Sequence, residues 1–156
     1  MTLQELILEE ENGSIFCKIG KSSNSICGKG GYFPYRDYIG EMIKLEKGSI
    51  TFERLEDVVK FLHYGDDLVI FSFIDGRNVL KQDGCKNNPL NKGCYDIKEI
   101  FVKNVLSFSD VSTVDFIFNN VGNKEKFKEY SNLASSHLRD RGLCDSANRW
   151  LQLAKS

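Results

Sequence analysis

The sequence predicts an α+β fold: a single domain over residues 1–156 with a mostly antiparallel sheet built from hairpins. One helix precedes the central strand, and a C-terminal helical pair packs on the sheet. Three observations predict it. Turn signals separate short alternating segments in the first half of the chain. One segment, residues 68–74, is apolar on nearly every position, as a strand covered on both faces is. Helical periodicity then dominates the last third, and hairpins followed by helices argue for α+β rather than for alternating β/α units. Eleven Phe and six Tyr supply the large side chains of an aromatic-rich sheet face.

The elements follow in order. Residues 6–20 read as a hairpin turning at Asn12-Gly13, a pair that tolerates the positive φ of a type I′ turn. Leu6 and Leu8 alternate on one arm, and Ile15, Cys17 and Ile19 on the other. A short N-terminal helix competes, because Leu3, Leu6 and Ile7 also fit helical spacing. Residues 41–52 read as a second hairpin, turning at Lys47-Gly48, and residues 67–82 as a third, turning at Asp75-Gly76. Between them, residues 54–64 place Leu55, Val58, Val59 and Leu62 on one helical stripe, with Gly65 as the stop.

Farther on, residues 97–108 fit a helix by spacing and a strand by β-branched content. Residues 113–118 alternate Val114, Phe116 and Phe118 and predict a strand. Residues 124–141 predict one long helix with Asn123 as N-cap and Gly142 past its end. A last helix follows, capped by Asp145 or Ser146, with Ala147, Trp150, Leu151 and Ala154 as its apolar face. Residues 21–31 and 82–94 read as loops rich in Ser, Asn, Gly and Lys.

Composition narrows the function classes. No run approaches the roughly 20 apolar residues of a membrane helix. The first eleven residues hold four Glu and no basic residue, the opposite of a secretory leader. Five cysteines, widely spread, do not form a disulfide framework. Together these predict a cytoplasmic protein with no membrane association. Net charge is −1 but uneven: residues 1–75 carry 8 basic and 13 acidic side chains, and residues 76–156 carry 13 and 9. That asymmetry suggests an acidic face for a basic partner, set against ordinary scatter along a chain.

No constellation of catalytic, metal-binding or phosphate-binding residues emerges. Gly20-Lys21-Ser22 resembles the end of a phosphate-binding loop, but the position five residues earlier is Ile15 rather than Gly. Gly28-Lys29-Gly30-Gly31 lacks a following helix and reads as a surface loop. Cys85 and Cys94 have eight residues between them, too many for a zinc knuckle, with no second pair. A Cys144–His137 couple is conceivable as nucleophile and base, yet nothing nearby marks an oxyanion hole. We therefore expect no metal and no cofactor.

What remains is surface. Glu53, Glu56 and Asp57 are expected on the solvent side of the first helix, with Asp66 and Asp67 just beyond it. The segment 32–38 (Tyr-Phe-Pro-Tyr-Arg-Asp-Tyr) holds residue types common at binding hot spots, including Tyr35 and Tyr38. These seven residues are the expected partner-binding set, against the plainer reading of a solvated face and an aromatic sheet edge. The function expected is that of a small protein-binding module. Its most specific form is a stoichiometric inhibitor, such as an immunity protein neutralising a bacterial toxin, with a basic protein as partner.

Two alternatives stay open. A nucleic-acid binder would use Arg77, Lys81, Lys86 and Lys92, or Lys124, Lys126 and Lys128, the last three of which oppose the helix dipole. An enzyme with a dispersed site would draw on the Tyr-rich segment, Arg36 and Cys144.

Overall fold

A computed structural model describes residues 3–21, 33–44, 50–73, 86–87, 94–97 and 99–156. The chain opens with helix α1 (Leu3–Glu11) rather than with a hairpin arm. Leu6 and Ile7 are buried while Leu8 is exposed, which is a helical and not an alternating pattern. Asn12-Gly13 keeps its turn role but ends the helix. Gly13 has φ +103°, and Ser14 N–H donates to Glu9 C=O at 2.9 Å, the wide turn that closes a helix C-terminus.

Strand β1 (Phe16–Gly20) follows. Residues 35–38 form a 3₁₀ turn, and strands β2 (Met42–Lys44) and β3 (Ile50–Arg54) come next. The hairpin expected over residues 41–52 does not form: β2 pairs with a later strand, and β3 pairs with β1. Its turn, residues 45–49, lies outside the described residues. Residues 55–64 are helical as expected and bury Leu55, Val58, Val59 and Leu62, but as consecutive 3₁₀ turns. A run this long is uncommon for 3₁₀ geometry.

Strand β4 (Asp67–Ser72) is buried at every position and lies between two other strands, the central strand the sequence predicts. The return arm of its expected hairpin lies outside the described residues. Strands β5 (Lys86–Asn87), β6 (Cys94–Ile97) and β7 (Glu99–Ser107) complete one sheet of order β2-β7-β4-β1-β3-β6-β5. All of its described pairings are antiparallel. Of the ambiguous residues 97–108, Glu99–Ser107 thus resolve as strand, because Ile100, Val102 and Val105 bury on the sheet while β2 and β4 take the backbone bonds on both sides.

Residues 113–118 correct the sequence reading in the other direction, since they lie within helix α2 (Val111–Asn120). Asp110 caps it by accepting from Ser112 N–H at 2.9 Å. The buried residues Val114, Ile117 and Val121 fall at helical spacing, and this periodicity outweighs the alternation of Val114, Phe116 and Phe118. The long helix expected over 124–141 is two helices, α3 (Lys124–Glu129) and α4 (Ser131–Asp140), broken at Tyr130. Asn123 caps the first by accepting from Glu125 N–H at 3.0 Å. Gly142, at φ +77°, separates α4 from α5 (Cys144–Ala154). Neither Asp145 nor Ser146 caps α5: both lie inside it, its N-cap is Leu143 without a side-chain bond, and Ser146 Oγ donates to Phe108 C=O instead.

Alternation along the strands divides the core in two. Phe16, Phe52, Val69, Phe71, Phe73 and Ile100 pack with Leu6 and Ile7 of α1 on one face. Cys17, Ile19, Leu68 and Ile70 pack on the other face against the 3₁₀ segment and the C-terminal helices. On this second face Trp150 stacks on Phe127 at 4.4 Å and donates Nε1–H to its carbonyl at 3.2 Å. The sheet is therefore covered on both sides, as the apolar β4 requires.

Candidate binding edge and the acidic residues

The five acidic residues expected to form a solvated patch do not share one surface. Glu53 sits on β3 directly across from Cys17 of β1, so both side chains point to the helix-covered face. It is buried, and its Oε1 has no hydrogen-bond partner among the described residues. Burial pushes its carboxyl well above the usual range. Nearby Asp57 adds to the shift and Lys18 opposes it. Cys17 is pushed up by the same burial, with Glu53, Glu56 and Asp57 contributing.

Asp57 is also buried rather than solvent-facing. Lys126 approaches its Oδ1 at 3.2 Å and Lys60 at 3.5 Å, so it ties the 3₁₀ segment to α3. Asp67 is buried at the start of β4 and accepts from Arg36 at 2.7 Å. Its burial raises the carboxyl and the guanidinium lowers it, burial being the larger influence. Glu56 and Asp66 are half-buried. The alternation of β3 and the 3₁₀ rotation after it turn Glu53 and Asp57 inward. A helix-surface reading of the sequence cannot anticipate that.

The aromatic residues divide similarly. Tyr35 is buried against Phe71, with ring centroids 6.1 Å apart, and burial pushes its hydroxyl up to about 12. It serves the core. Tyr38 is half-buried and packs on Phe33 at 5.4 Å.

Beyond Tyr38 the chain runs onto the end of the sheet. Gly40 N–H donates to Val102 C=O at 2.8 Å, and Val102 N–H donates to Glu41 C=O at 3.0 Å, which feeds directly into β2. β2 is the terminal strand of the sheet order, with β7 as its neighbour. Along this stretch Ile39 is 45% exposed and Met42 37% exposed, and the flanking Asp37 and Glu41 are exposed as well. No motif in the sequence marks this edge. Its only signal is the three-residue alternation around Ile43, and sheet order is not encoded in alternation.

The other candidates fare as follows. Lys124 donates to Phe118 C=O at 2.7 Å, past the middle of α2, and lies over the Phe118 ring, while Lys126 pairs with Asp57. Both lysines at the start of α3 thus have structural partners that account for their unfavourable place at a helix N-terminus. Cys144 is exposed at the start of α5, whereas the His137 ring lies 5.3 Å from that of His63. Arg77, Lys81, Cys85 and Lys92 lie outside the described residues, as do the phosphate-loop-like residues 22 and 28–31. Among the described residues, no three His, Cys, Asp or Glu side chains converge as a metal ion requires. No described helix is long and apolar enough to cross a membrane.

Comparison of the chain with family models, curated proteins and solved structures finds no match. Fold and site by themselves define the class: an α+β protein whose antiparallel sheet, among the described strands, ends in β2, with Met42 and Lys44 exposed and Glu41 just before it.

Proposed function

We propose that this protein is a protein-binding module that engages a basic partner along the β2 edge. Within that class we favour a stoichiometric inhibitor, of which an immunity protein that neutralises a bacterial toxin is one form. The observation that supports the reading is the edge itself. Met42 is exposed on β2, the last of the described strands, and Ile39 is exposed in the turn that leads into it, with the exposed Asp37 and Glu41 close by in the chain. A sheet edge offers backbone donors and acceptors to an incoming strand. Exposed apolar side chains supply the anchor, and flanking carboxylates favour a cationic partner and speed encounter.

The test is affinity capture from source-cell lysate, read by native mass spectrometry, with wild type beside Met42→Lys and Glu41→Lys. A basic protein held one-to-one by wild type, and at least about tenfold more weakly by both variants, supports the proposal. Equal capture by all three chains overturns the edge assignment. Capture of nucleic acid instead, weakening steeply with salt, overturns the protein-binding reading.

A further inference from the structure

A second feature lies away from the β2 edge and is independent of the reading above. The β4–β7 ladder pairs Ile70 with Asn104 and then Phe71 with Val102, so Lys103 is the extra residue of a β-bulge. In a regular strand Lys103 and Asn104 would face opposite sides of the sheet. Here both line one cleft of about 420 Å³, between the α1–β1 turn, the two strands and α2. Bulges re-aim side chains in this way and gather near binding sites. The volume falls in the range of small-molecule sites, roughly 300–1,000 Å³.

The lining divides by chemistry. Ile15, Ile70 and Phe116 give it an apolar part. Glu10 borders the cleft but is committed within the fold: its Oε2 accepts from Phe73 N–H at 2.8 Å, and it has a further interaction besides. It is therefore not counted as a docking point for a cation. Asn104 Oδ1 accepts from Val105 N–H at 2.8 Å, which leaves its NH₂ as donor. Lys103 is exposed and forms no ion pair among the described residues. Two adjacent residues thus present donors to the cleft, one of them cationic, beside an apolar wall.

The geometry points to a binding site for a small monocarboxylate on an apolar body, a short fatty acid or an arylalkanoic acid. The carboxylate accepts from the Lys103 ammonium and the Asn104 amide, and bonds to an ionised donor are the stronger kind. Both residues are exposed, so the carboxylate stays partly hydrated and the heavy cost of enclosing a charge does not arise. The body displaces water from Ile15, Ile70 and Phe116. A neutral ligand leaves the ammonium without a counter-charge, and a cation is repelled by it.

The test is amide chemical-shift titration of the full chain with hexanoate and 3-phenylpropionate. Hexanamide and 3-phenylpropionamide lack the charge, 3-phenylpropylamine reverses it, and acetate lacks the body. At least one of these acids is expected to shift the amides of Ser14, Lys103, Asn104 and Asn120, and to bind about fivefold more tightly than its own amide. Lys103→Met should remove that preference and Lys103→Arg should keep it. The position is exposed, so both variants test the site in a folded chain. No shift from either acid up to roughly 10 mM, a decade beyond millimolar affinity, overturns the proposal. So does an amide or the amine that binds as tightly as the acid, an equal response to acetate, or a preference unchanged in Lys103→Met.

Discussion

Glu53 shows how a single residue records its surroundings. A lone carboxyl in a half-exposed strand would be unremarkable, but this one is enclosed, with one oxygen unpartnered among the described residues. Its folded pKa is raised by burial, so the folded state holds a proton that the unfolded chain releases at the ordinary carboxyl value. That contribution is fully present below the unfolded pKa and is lost as pH rises through the folded value. Wild-type stability should therefore fall over that window. Glu53→Gln should reduce that fall, the raised Asp67 carboxyl accounting for part of what remains, and its advantage over wild type should grow with pH to about 1–3 kcal/mol. Urea unfolding of both chains at pH 5 and pH 8 checks this; a constant difference would mean that Glu53 does not titrate with folding. Asp110 has the opposite sign. The Ser112 amide lowers its carboxyl, so its capping contribution holds above the unfolded pKa and is lost on acidification.

At the scale of elements, the same local signal often served two structures. Asn12-Gly13 fits a hairpin and a helix stop equally well, because both need positive φ at the glycine. Burial of Leu6 and Ile7 together decides for the helix. Val114, Phe116 and Phe118 alternate, yet Asp110 caps a helix whose buried positions recur at three and four. Capping chemistry was the more transferable signal, as at Asn123. Helix α3 is only six residues long and depends on that cap and on Phe127 packing against Trp150. Asn123→Ala should cost about 1 kcal/mol, seen as a lower urea midpoint at unchanged slope. An unchanged midpoint would mean that packing alone holds α3.

For the whole molecule, tertiary proximity sets constraints that no local pattern carries. Gly65 was legible as a helix stop, but its greater role is spatial. A Cβ there would fall 1.9 Å from Gly20 C=O, where the end of β1 passes the start of β4. The contact is with backbone, so the strands themselves would have to shift. Gly65→Ala should destabilise the fold by about 1–3 kcal/mol in chemical unfolding; stability equal to wild type would show that the two segments have room to part.

The sequence by itself determined the class of fold, the central buried strand β4, the apolar stripe of residues 55–64, the helical character of the C-terminal third and the Asn123 cap. Each of these rests on periodicity, capping or composition, which act between residues close in the chain. The tertiary structure decided the strand order, the inward turn of Glu53 and Asp57, the pairing of Asp67 with Arg36, the exposed β2 edge and the cleft at the β4–β7 bulge. These depend on which distant segments meet. β2 and β3 follow each other closely in sequence, yet β7, β4 and β1 lie between them in the sheet. Local physics fixes what a segment becomes, but its exposure and its neighbours follow from burying the whole apolar surface at once.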